Sequence, residues 1–347
     1  MLHAFEDIVA YATQLLAHAG LDGDKPRVIA ERLALADAMG HTTHGLALLA
    51  PYLAEIEKGS MSRAGDPEVV VDRPAAIVWD GRRLPGVWLT AKAMELAIER
   101  AKVFGTCTIA VRRSHHIACL AAYLPIALEA GMMAVVACSD PAITHVAPYG
   151  GKKAVFTPDP VAVGIPTDGD PVLIDISASI TTAGRCGRAL AAGERLPGLW
   201  AIDADGQATD DPSILASEPR GALLPTGGID HGHKGYALAL WIEALTQGLS
   251  GWGRADAPIG WSGAVFVQVF DPALFAGADE FRRQTGWLAE ACRTSPPIDP
   301  ARPVRLPGAW ALAGIARAKN EGLALQPGIV QSLLPWAEKW GLPPLAD

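Results

Sequence analysis

The sequence predicts an α/β protein with a mixed sheet in the middle of the chain and helices at both ends. Apolar residues recur at helical spacing over 5–18 and 27–39, and again over 310–320 and 329–340. Between these ends, short apolar runs are separated by glycine and proline, a pattern typical of strands. A chain of 347 residues is also long enough for two lobes. We therefore expect one helical region formed by 1–72 and 300–347, and one α/β region over 73–299.

The predicted elements follow an order typical of a sheet with crossover connections. The first are a helix over 46–56, strands over 68–71 and 75–79, and a helix over 89–103. A strand over 107–111, a helix over 117–130 and a strand over 132–138 then form a βαβ unit, which implies a parallel or mixed sheet. Pro125 either kinks this helix or begins a second segment. The remaining predictions are strands over 154–156, 161–165, 172–176, 200–202 and 264–270, helices over 234–249 and 272–292, and an extended segment over 302–308.

Charge and cysteine content exclude several classes of protein. The net charge of −8, without any run of Lys or Arg, argues against nucleic acid and anionic membranes as partners. The apolar run over 117–138 is long enough to cross a membrane, but Pro125 and Gly131 interrupt it, which favours a helix followed by a buried strand. Five dispersed cysteines and no CxxC pair predict reduced thiols in the cytoplasm. The first twenty residues lack a basic segment followed by an apolar segment, so we expect no signal peptide.

Two familiar nucleotide-binding motifs are missing from the sequence. Neither GxGxxG after a strand nor GxxxxGK[ST] occurs, so a Rossmann or P-loop site is not supported. Gly227, Gly228 and Gly232 precede a long helix, and free backbone N–H groups at a helix start attract anions. Lys234 adds a positive charge there. This arrangement suits a phosphate-bearing cofactor, and an ordinary glycine-rich loop that caps the helix is the alternative.

Adjacent histidines mark the junction after the 107–111 strand. In α/β proteins the loop beyond a strand's carboxyl end often carries the chemistry, and a histidine titrates near neutrality. His115 and His116 therefore suggest acid/base catalysis beside a bound cofactor, with helix capping as the alternative. A metal site is a further alternative, since further histidine pairs and four aspartates could supply ligands: His41, His44, His231, His233, Asp140, Asp159, Asp175 and Asp230. No HExxH spacing supports it, so we expect an organic cofactor and no metal.

Five stretches resemble one family in order along nearly the whole chain. They are THG at 43–45 with Tyr52, SHH at 114–116, APYGG at 147–151 with DP at 159–160, DISAS at 175–179, and LPTGG at 224–228 with HKGY at 233–236. The chain thus resembles the non-Rossmann malate/L-lactate dehydrogenase family, which includes ureidoglycolate dehydrogenase, sulfolactate dehydrogenase and Δ1-piperideine-2-carboxylate reductase. The resemblance implies a non-Rossmann NAD(P)-binding fold, a homodimer, and hydride transfer between NAD or NADP and a small 2-hydroxy/2-oxo acid or cyclic imine acid.

The resemblance also implies roles for individual residues. His116 is the expected general acid/base, with His44 and Ser114 as further catalytic residues. The substrate-binding residues implied are Thr43, Leu48, Tyr52, Ser139 and Asp140. The cofactor-binding residues implied are His44, Ser139, Asp159, Asp175, Ile176, Ser177, His233, Lys234, Pro307 and Gly308.

Position 48 is the main departure from the family pattern. The family usually has an arginine there that binds the substrate carboxylate, and the apolar Leu48 cannot replace a bidentate cation. Either Arg113, Arg185 or Arg188 takes this role, or the substrate is not a simple 2-oxo acid. The chain differs from the family pattern at two further positions. It has Ala118 where the family commonly has glycine, and Asp159 where the family usually has asparagine. A metal-dependent lyase or hydrolase, and a cofactor-binding relative with altered catalysis, are the alternative functions.

Overall fold

A seven-stranded mixed sheet forms the centre of the computed structural model, which describes residues 2–345. Its strands are β1 (Glu68–Arg73), β2 (Ala76–Asp80), β3 (Thr106–Ser114), β4 (Met133–Ser139), β5 (Pro160–Ile165), β6 (Val172–Ser177) and β10 (Gly263–Phe270). A small second sheet contains β7 (Ala201–Ile202), β8 (Ala208–Thr209) and β9 (Ala222–Leu223). The strand order of the large sheet is β1-β2-β3-β10-β4-β5-β6.

Helices cover this sheet and form both ends of the described chain. They are α1 (Phe5–His18), α2 (Lys25–Ala38), α3 (Leu49–Glu57), α4 (Gly86–Phe104), α5 (Leu124–Glu129), α6 (Ala183–Ala192), α7 (Gly228–His231), α8 (His233–Glu243), α9 (Ala278–Arg293), α10 (Ala309–Glu321) and α11 (Ile329–Trp340). The predicted α/β class, with a mixed sheet between helical ends, is confirmed. None of the helices within residues 2–345 is both long and apolar enough to cross a membrane.

The apolar core runs from the N-terminal helices through the large sheet to the C-terminal helices. At the chain ends, α10 packs on α2, and α11 packs on α1 and α3. The predicted boundary near residue 72 falls inside β1, which pairs with β2 in the large sheet. The helical ends and the sheet therefore share one hydrophobic core.

The region predicted as a βαβ unit differs from the sequence expectation. Strands β3 and β4 run in the same direction but do not pair, because β10 lies between them and is antiparallel to both. The helix predicted over 117–130 is not continuous, and the alternative in which Pro125 begins a second segment is confirmed. The chain after β3 is irregular, then forms a 3₁₀ turn over Leu120–Tyr123, and α5 begins at Leu124 with Pro125 in its first turn. Proline is tolerated there because a first-turn N–H has no partner within its own helix.

Close backbone packing positions the end of β3. Gly86, the first residue of α4, approaches this segment so closely that a Cβ would lie 2.0 Å from the carbonyl oxygen of His115. On the other side, the buried Asp80 carboxylate accepts hydrogen bonds from Arg112 Nε and Arg113 Nε at 3.0 and 2.9 Å. The backbone that carries His116 is therefore held by contacts from two neighbouring elements.

Candidate active site

His116 follows β3, and its ring is oriented by two donors. Its Nδ1 lies 2.8 Å from Tyr52 Oη and 3.3 Å from the backbone N of Ala118. An amide N–H can only donate, so Nδ1 acts as acceptor and the proton of the neutral ring resides on Nε2. Among residues 2–345, Nε2 has no hydrogen-bond partner and is free to meet a ligand.

Ala118 has the left-handed backbone conformation, with φ of 57°. This conformation favours glycine, and it costs an alanine roughly 1 kcal/mol. In this conformation the Ala118 N–H donates to His116 Nδ1.

Aromatic and imidazole rings surround His116. The Trp261 ring stacks on it with a centroid distance of 4.6 Å, and the His44 ring lies roughly parallel at 5.9 Å. Burial, followed by the nearby His44 and His115 rings, lowers the pKa of His116 to about 3. The free protein therefore holds this imidazole neutral across the physiological range.

The segment between α2 and α3 positions His44. Thr43 Oγ1 lies 2.9 Å from His44 Nδ1, and burial lowers the pKa of His44, with smaller contributions from the charges of His41 and Arg188. Gly45 lies against the Asp37 carboxyl so closely that a Cβ would be 2.4 Å away, and Asp37 accepts the Leu46 N–H at 2.7 Å. Glycine is needed here because the backbone lies directly on this buried carboxyl.

His115 and Ser114 make their polar contacts with groups other than the His116 ring. The His115 side chain is fully buried, with Nε2 3.6 Å from a Glu55 carboxylate oxygen. Burial lowers the pKa of His115 to about 4, so it too is neutral. Ser114 is buried and its hydroxyl donates to the carbonyl of His115 at 2.8 Å. In this conformation Ser114 holds the backbone of the loop, and its hydroxyl is not directed at a ligand.

Ser139 belongs to a buried polar network rather than to an open surface. Its hydroxyl donates to Glu243 at 2.8 Å and accepts from Gln247 at 2.9 Å, and Arg254 pairs with Glu243 at 2.7 Å. The adjacent Asp140 accepts hydrogen bonds from Ala142 and Ser262, and burial raises its pKa. The expected ligand contact of the Ser139 side chain is therefore not available in this conformation.

Asp159 extends this network and is completely buried. One carboxyl oxygen accepts from Thr157 Oγ1 at 2.6 Å, and the other has no hydrogen-bond partner in the described chain. Burial and the neighbouring Glu243 raise the pKa of Asp159 well above its usual range. The Asp159 side chain thus takes part in an internal network, and the expected cofactor role of this position stays a prediction.

Replacing Asp159 by Asn is expected to increase stability at high pH. A carboxyl whose pKa is higher in the folded state favours folding when protonated, so its contribution is lost as pH rises above the unfolded value. The amide keeps the shape without the charge, and we expect a gain of about 1–3 kcal/mol at pH 8.5, in the range set by an unpaired buried polar group. Urea unfolding at pH 5.5 and 8.5 measures it, with the exposed Asp230→Asn as control. Parallel pH dependence in wild type and Asp159→Asn would contradict this account.

A second group of predicted residues lies along β6 and the start of α8. The Leu173 N–H donates to the Pro307 carbonyl at 3.1 Å, so the Pro307-Gly308 turn lies against the strand that carries Asp175, Ile176 and Ser177. Thr226 donates from Oγ1 to the Ser177 carbonyl at 2.9 Å. The α8 helix is then held close, because a Cβ on Gly235 would lie 2.4 Å from the Thr226 backbone N.

The predicted residues at the start of α8 remain accessible. His233 and Lys234 are exposed there, and the Tyr149 ring lies 5.7 Å from the His233 ring. The structure thus assembles Asp175–Ser177, the 307–308 turn and the start of α8 into one region, while Tyr52, His44 and His116 form another.

Several residues of the site lie outside the sequence motifs. Trp261 lies in the loop before β10, and Glu55, Glu243 and Arg254 lie in segments without a recognisable motif. Their roles depend on contacts between residues far apart in the chain. Of these residues, the sequence indicates only Trp261 as a site residue, and only weakly, because it stands next to a glycine-rich turn.

Comparison with known proteins places these motifs in one family. The family model described as malate/L-lactate dehydrogenase matches residues 3–334. The chain belongs to the malate/L-lactate dehydrogenase family. It is 29% identical to the L-sulfolactate dehydrogenase of Methanothermobacter thermautotrophicus over 95% of this chain and 94% of that protein. It is 31% identical to the L-lactate dehydrogenase of Cupriavidus necator over 93% of each chain.

A solved structure agrees with this assignment. The sulfolactate dehydrogenase from Methanocaldococcus jannaschii superposes with a TM-score of 0.87 at 26% identity, covering 99% of this chain and 98% of the other. The predicted membership in the malate/L-lactate dehydrogenase family is therefore confirmed. The protein is an enzyme of this type, a 2-hydroxy acid dehydrogenase.

Proposed function

We propose that this dehydrogenase uses NAD or NADP, with hydride moving between the nicotinamide and C2 of a small 2-hydroxy/2-oxo acid or cyclic imine acid, and that His116 is the general acid/base. The observation that carries the proposal is the neutral His116 ring, held at Nδ1 by Tyr52 and with Nε2 free. That nitrogen can exchange a proton with a substrate oxygen: it takes one when the ring's own proton lies on Nδ1, and it gives one when the ring is charged. We also propose that the enzyme is a homodimer and that it is located in the cytoplasm.

The residues along β6 and α8 fit a dinucleotide. Lys234 offers a positive charge at the start of an eleven-residue helix, where anions are favoured. Ser177 and Thr226 supply hydroxyl groups, and the exposed Ile176 and Tyr149 side chains offer apolar surface for a ring. When bound there, the nicotinamide cofactor would supply or accept the hydride.

The hydrogen-bond partners of His116 serve both directions of the reaction. In the reduction, the ring first takes up a proton from solvent. The imidazolium donates its Nε2 proton to the substrate oxygen or nitrogen, which gains electron density as hydride reaches C2, and the ring becomes neutral with its remaining proton on Nδ1. In the oxidation, the proton of the neutral ring first moves to Nδ1, where Tyr52 Oη accepts it in a hydrogen bond, and Nε2 then takes the proton of the substrate hydroxyl to give the imidazolium. The Tyr52 oxygen can donate to Nδ1 or accept from it, so it stabilises either tautomer and the charged ring. Burial raises the pKa of Tyr52 well above its usual range, which keeps the hydroxyl protonated.

Three arginines are candidates to bind the substrate carboxylate in place of the arginine that the family has at position 48. Arg113 is bound to Asp80, and Arg185 lies over the Trp200 ring at 5.1 Å. Arg188 is exposed, lies 3.4 Å from Thr42 Oγ1, and lowers the pKa of His44 through its charge. We therefore propose Arg188 as the cation that binds the substrate carboxylate.

The variant Arg188→Gln should raise KM for a carboxylate substrate about 10- to 150-fold, the usual value of a charge-assisted hydrogen bond of about 1.5–3 kcal/mol. We expect a smaller change in kcat, because the charge binds substrate and transition state alike. Steady-state kinetics with Arg185→Gln as the matched control measures this. Equal KM values for wild type and Arg188→Gln would exclude the role.

A substrate panel tests the overall function. Small 2-oxo acids and cyclic imine acids are each mixed with NADH or NADPH, and oxidation of the nicotinamide is followed by its absorbance. We expect turnover of at least one acid with at least one cofactor, and quenching or energy transfer in the fluorescence of the bound cofactor. Absence of binding to either cofactor at millimolar concentration would refute the proposal. Sedimentation velocity then tests for a dimer.

A further inference from the structure

Three potential metal ligands from separate parts of the chain meet beside β6. His41 lies in the loop after α2, Cys119 lies after β3, and Asp175 lies on β6. Asp175 Oδ2 is 3.8 Å from Cys119 Sγ and 4.0 Å from His41 Nε2, and the three ligand atoms all lie within 4.8 Å of one another. Within residues 2–345, no other group of three His, Cys, Asp or Glu side chains meets that separation.

These separations are close to those around a tetrahedral cation. Bond lengths of about 2.3 Å to sulfur and about 2.0 Å to nitrogen or oxygen place zinc ligands roughly 3.3–3.6 Å apart. Side-chain movements of about 1 Å or less would bring the three atoms to these distances. A set of one thiolate, one imidazole and one carboxylate suits Zn²⁺ and Co²⁺ better than Mg²⁺ or Ca²⁺, which prefer oxygen.

We propose that His41, Cys119 and Asp175 form a binding site for a thiophilic divalent cation such as Zn²⁺. Binding replaces the S–H bond of Cys119 with a sulfur–metal bond, and the proton leaves to solvent. Three protein ligands leave the fourth tetrahedral position open to water or a small ligand.

The groups around the three ligands support such a site. The Ala121 N–H donates to Asp175 Oδ2 at 3.1 Å and orients the carboxylate, as outer partners of metal ligands commonly do. The backbone N–H of His41 donates to the Ala36 carbonyl at 2.9 Å, which fixes the loop on which the imidazole stands. Cys119 is buried, whereas the His41 side chain is 38% exposed, so a cation enters from the His41 side.

The position of this site gives it a consequence for the enzyme. The His44 N–H donates to the His41 carbonyl at 2.8 Å, so the site adjoins the loop that carries His44. Asp175 is also a proposed cofactor contact, and a bound cation would withdraw its carboxylate from the cofactor. This consequence rests on the proposed function, whereas the metal site does not.

Cobalt titration of the full chain tests the site without cofactor or substrate. We expect EDTA-treated protein to bind one Co²⁺ with an intense thiolate-to-cobalt charge-transfer band and visible bands typical of tetrahedral coordination, and Zn²⁺ to displace it. Cys119→Ser should abolish the charge-transfer band, and Cys292→Ser, which removes the exposed cysteine, should leave it unchanged. His41→Ala keeps the thiol and should weaken Co²⁺ binding at least about tenfold.

Two outcomes would overturn the metal site. One is no charge-transfer band in the wild type at millimolar Co²⁺. The other is a band that persists in Cys119→Ser and disappears in Cys292→Ser, which would place the metal on the surface thiol. If Cys119→Ser fails to fold by circular dichroism, the more exposed His41→Ala decides, and unchanged Co²⁺ affinity in that variant refutes the site. Because these readouts need no turnover, they remain valid if the proposed function fails.

Discussion

His116→Gln is expected to lower kcat about 10²- to 10⁴-fold, the usual contribution of a positioned general acid or base. Glutamine has a similar length and can still accept a hydrogen bond from Tyr52, but its amide cannot take up or release a proton. Affinity for the cofactor should change little, because the proposed dinucleotide contacts lie along β6 and α8. Steady-state turnover, together with fluorescence titration of NADH and NADPH, measures both quantities.

The pH profile of the wild type provides a second readout of the same role. Burial lowers the pKa of His116 to about 3, so the ring is already in its base form above pH 5. The kcat/KM of the oxidation reports the free enzyme, and we expect no acid limb from this residue between pH 5 and 8. If the pKa of His116 were that of an unperturbed histidine, kcat/KM of the oxidation would fall below about pH 6.5. Turnover of His116→Gln within threefold of wild type would rule out His116 as the acid/base.

Gly86→Ala is expected to destabilise the protein by about 3 kcal/mol or more, at the upper end of typical overpacking costs. The added methyl carbon would lie 2.0 Å from the His115 carbonyl and 2.7 Å from the His116 carbonyl, both of which are backbone atoms. A flexible side chain could move aside, but here the end of β3 or the start of α4 must shift. Since His116 is on that segment, turnover should fall as well, because a displacement of about 1 Å can cost about 10²-fold. Urea unfolding and kcat of the folded fraction measure the two effects.

Gly187→Ala is the matched control for this substitution. Gly187 lies inside α6, and no atom comes within 4 Å of a Cβ placed there. Alanine should stabilise this exposed helix position by roughly 0.5–1 kcal/mol, because it restricts the unfolded chain more than glycine does. A loss of stability in Gly86→Ala no larger than about 0.5 kcal/mol would show that the backbone yields easily at the start of α4.

Motif residues that occur together in the sequence carry most of the site prediction. The THG and SHH segments predict catalytic residues at 44 and 116, and the rings of His44 and His116 lie 5.9 Å apart. Asp159 shows why a family motif alone does not establish the role of a single residue. Its place in the motif suggested a ligand contact, yet the side chain is fully buried beside Thr157. Burial depends on Ser139 and Glu243, which approach from other parts of the chain.

The sequence by itself determined the α/β class, the helical ends, the family and the histidine pair after β3, because periodicity and motifs are local properties of the chain. Only the tertiary structure decided that β10 separates β3 from β4, that Tyr52 and Trp261 hold His116, and that Arg188 lies beside Thr42. It also brought His41, Cys119 and Asp175 together. These outcomes depend on contacts between residues distant in sequence, which are selected by the packing of the whole chain and leave no periodic signal within any one segment.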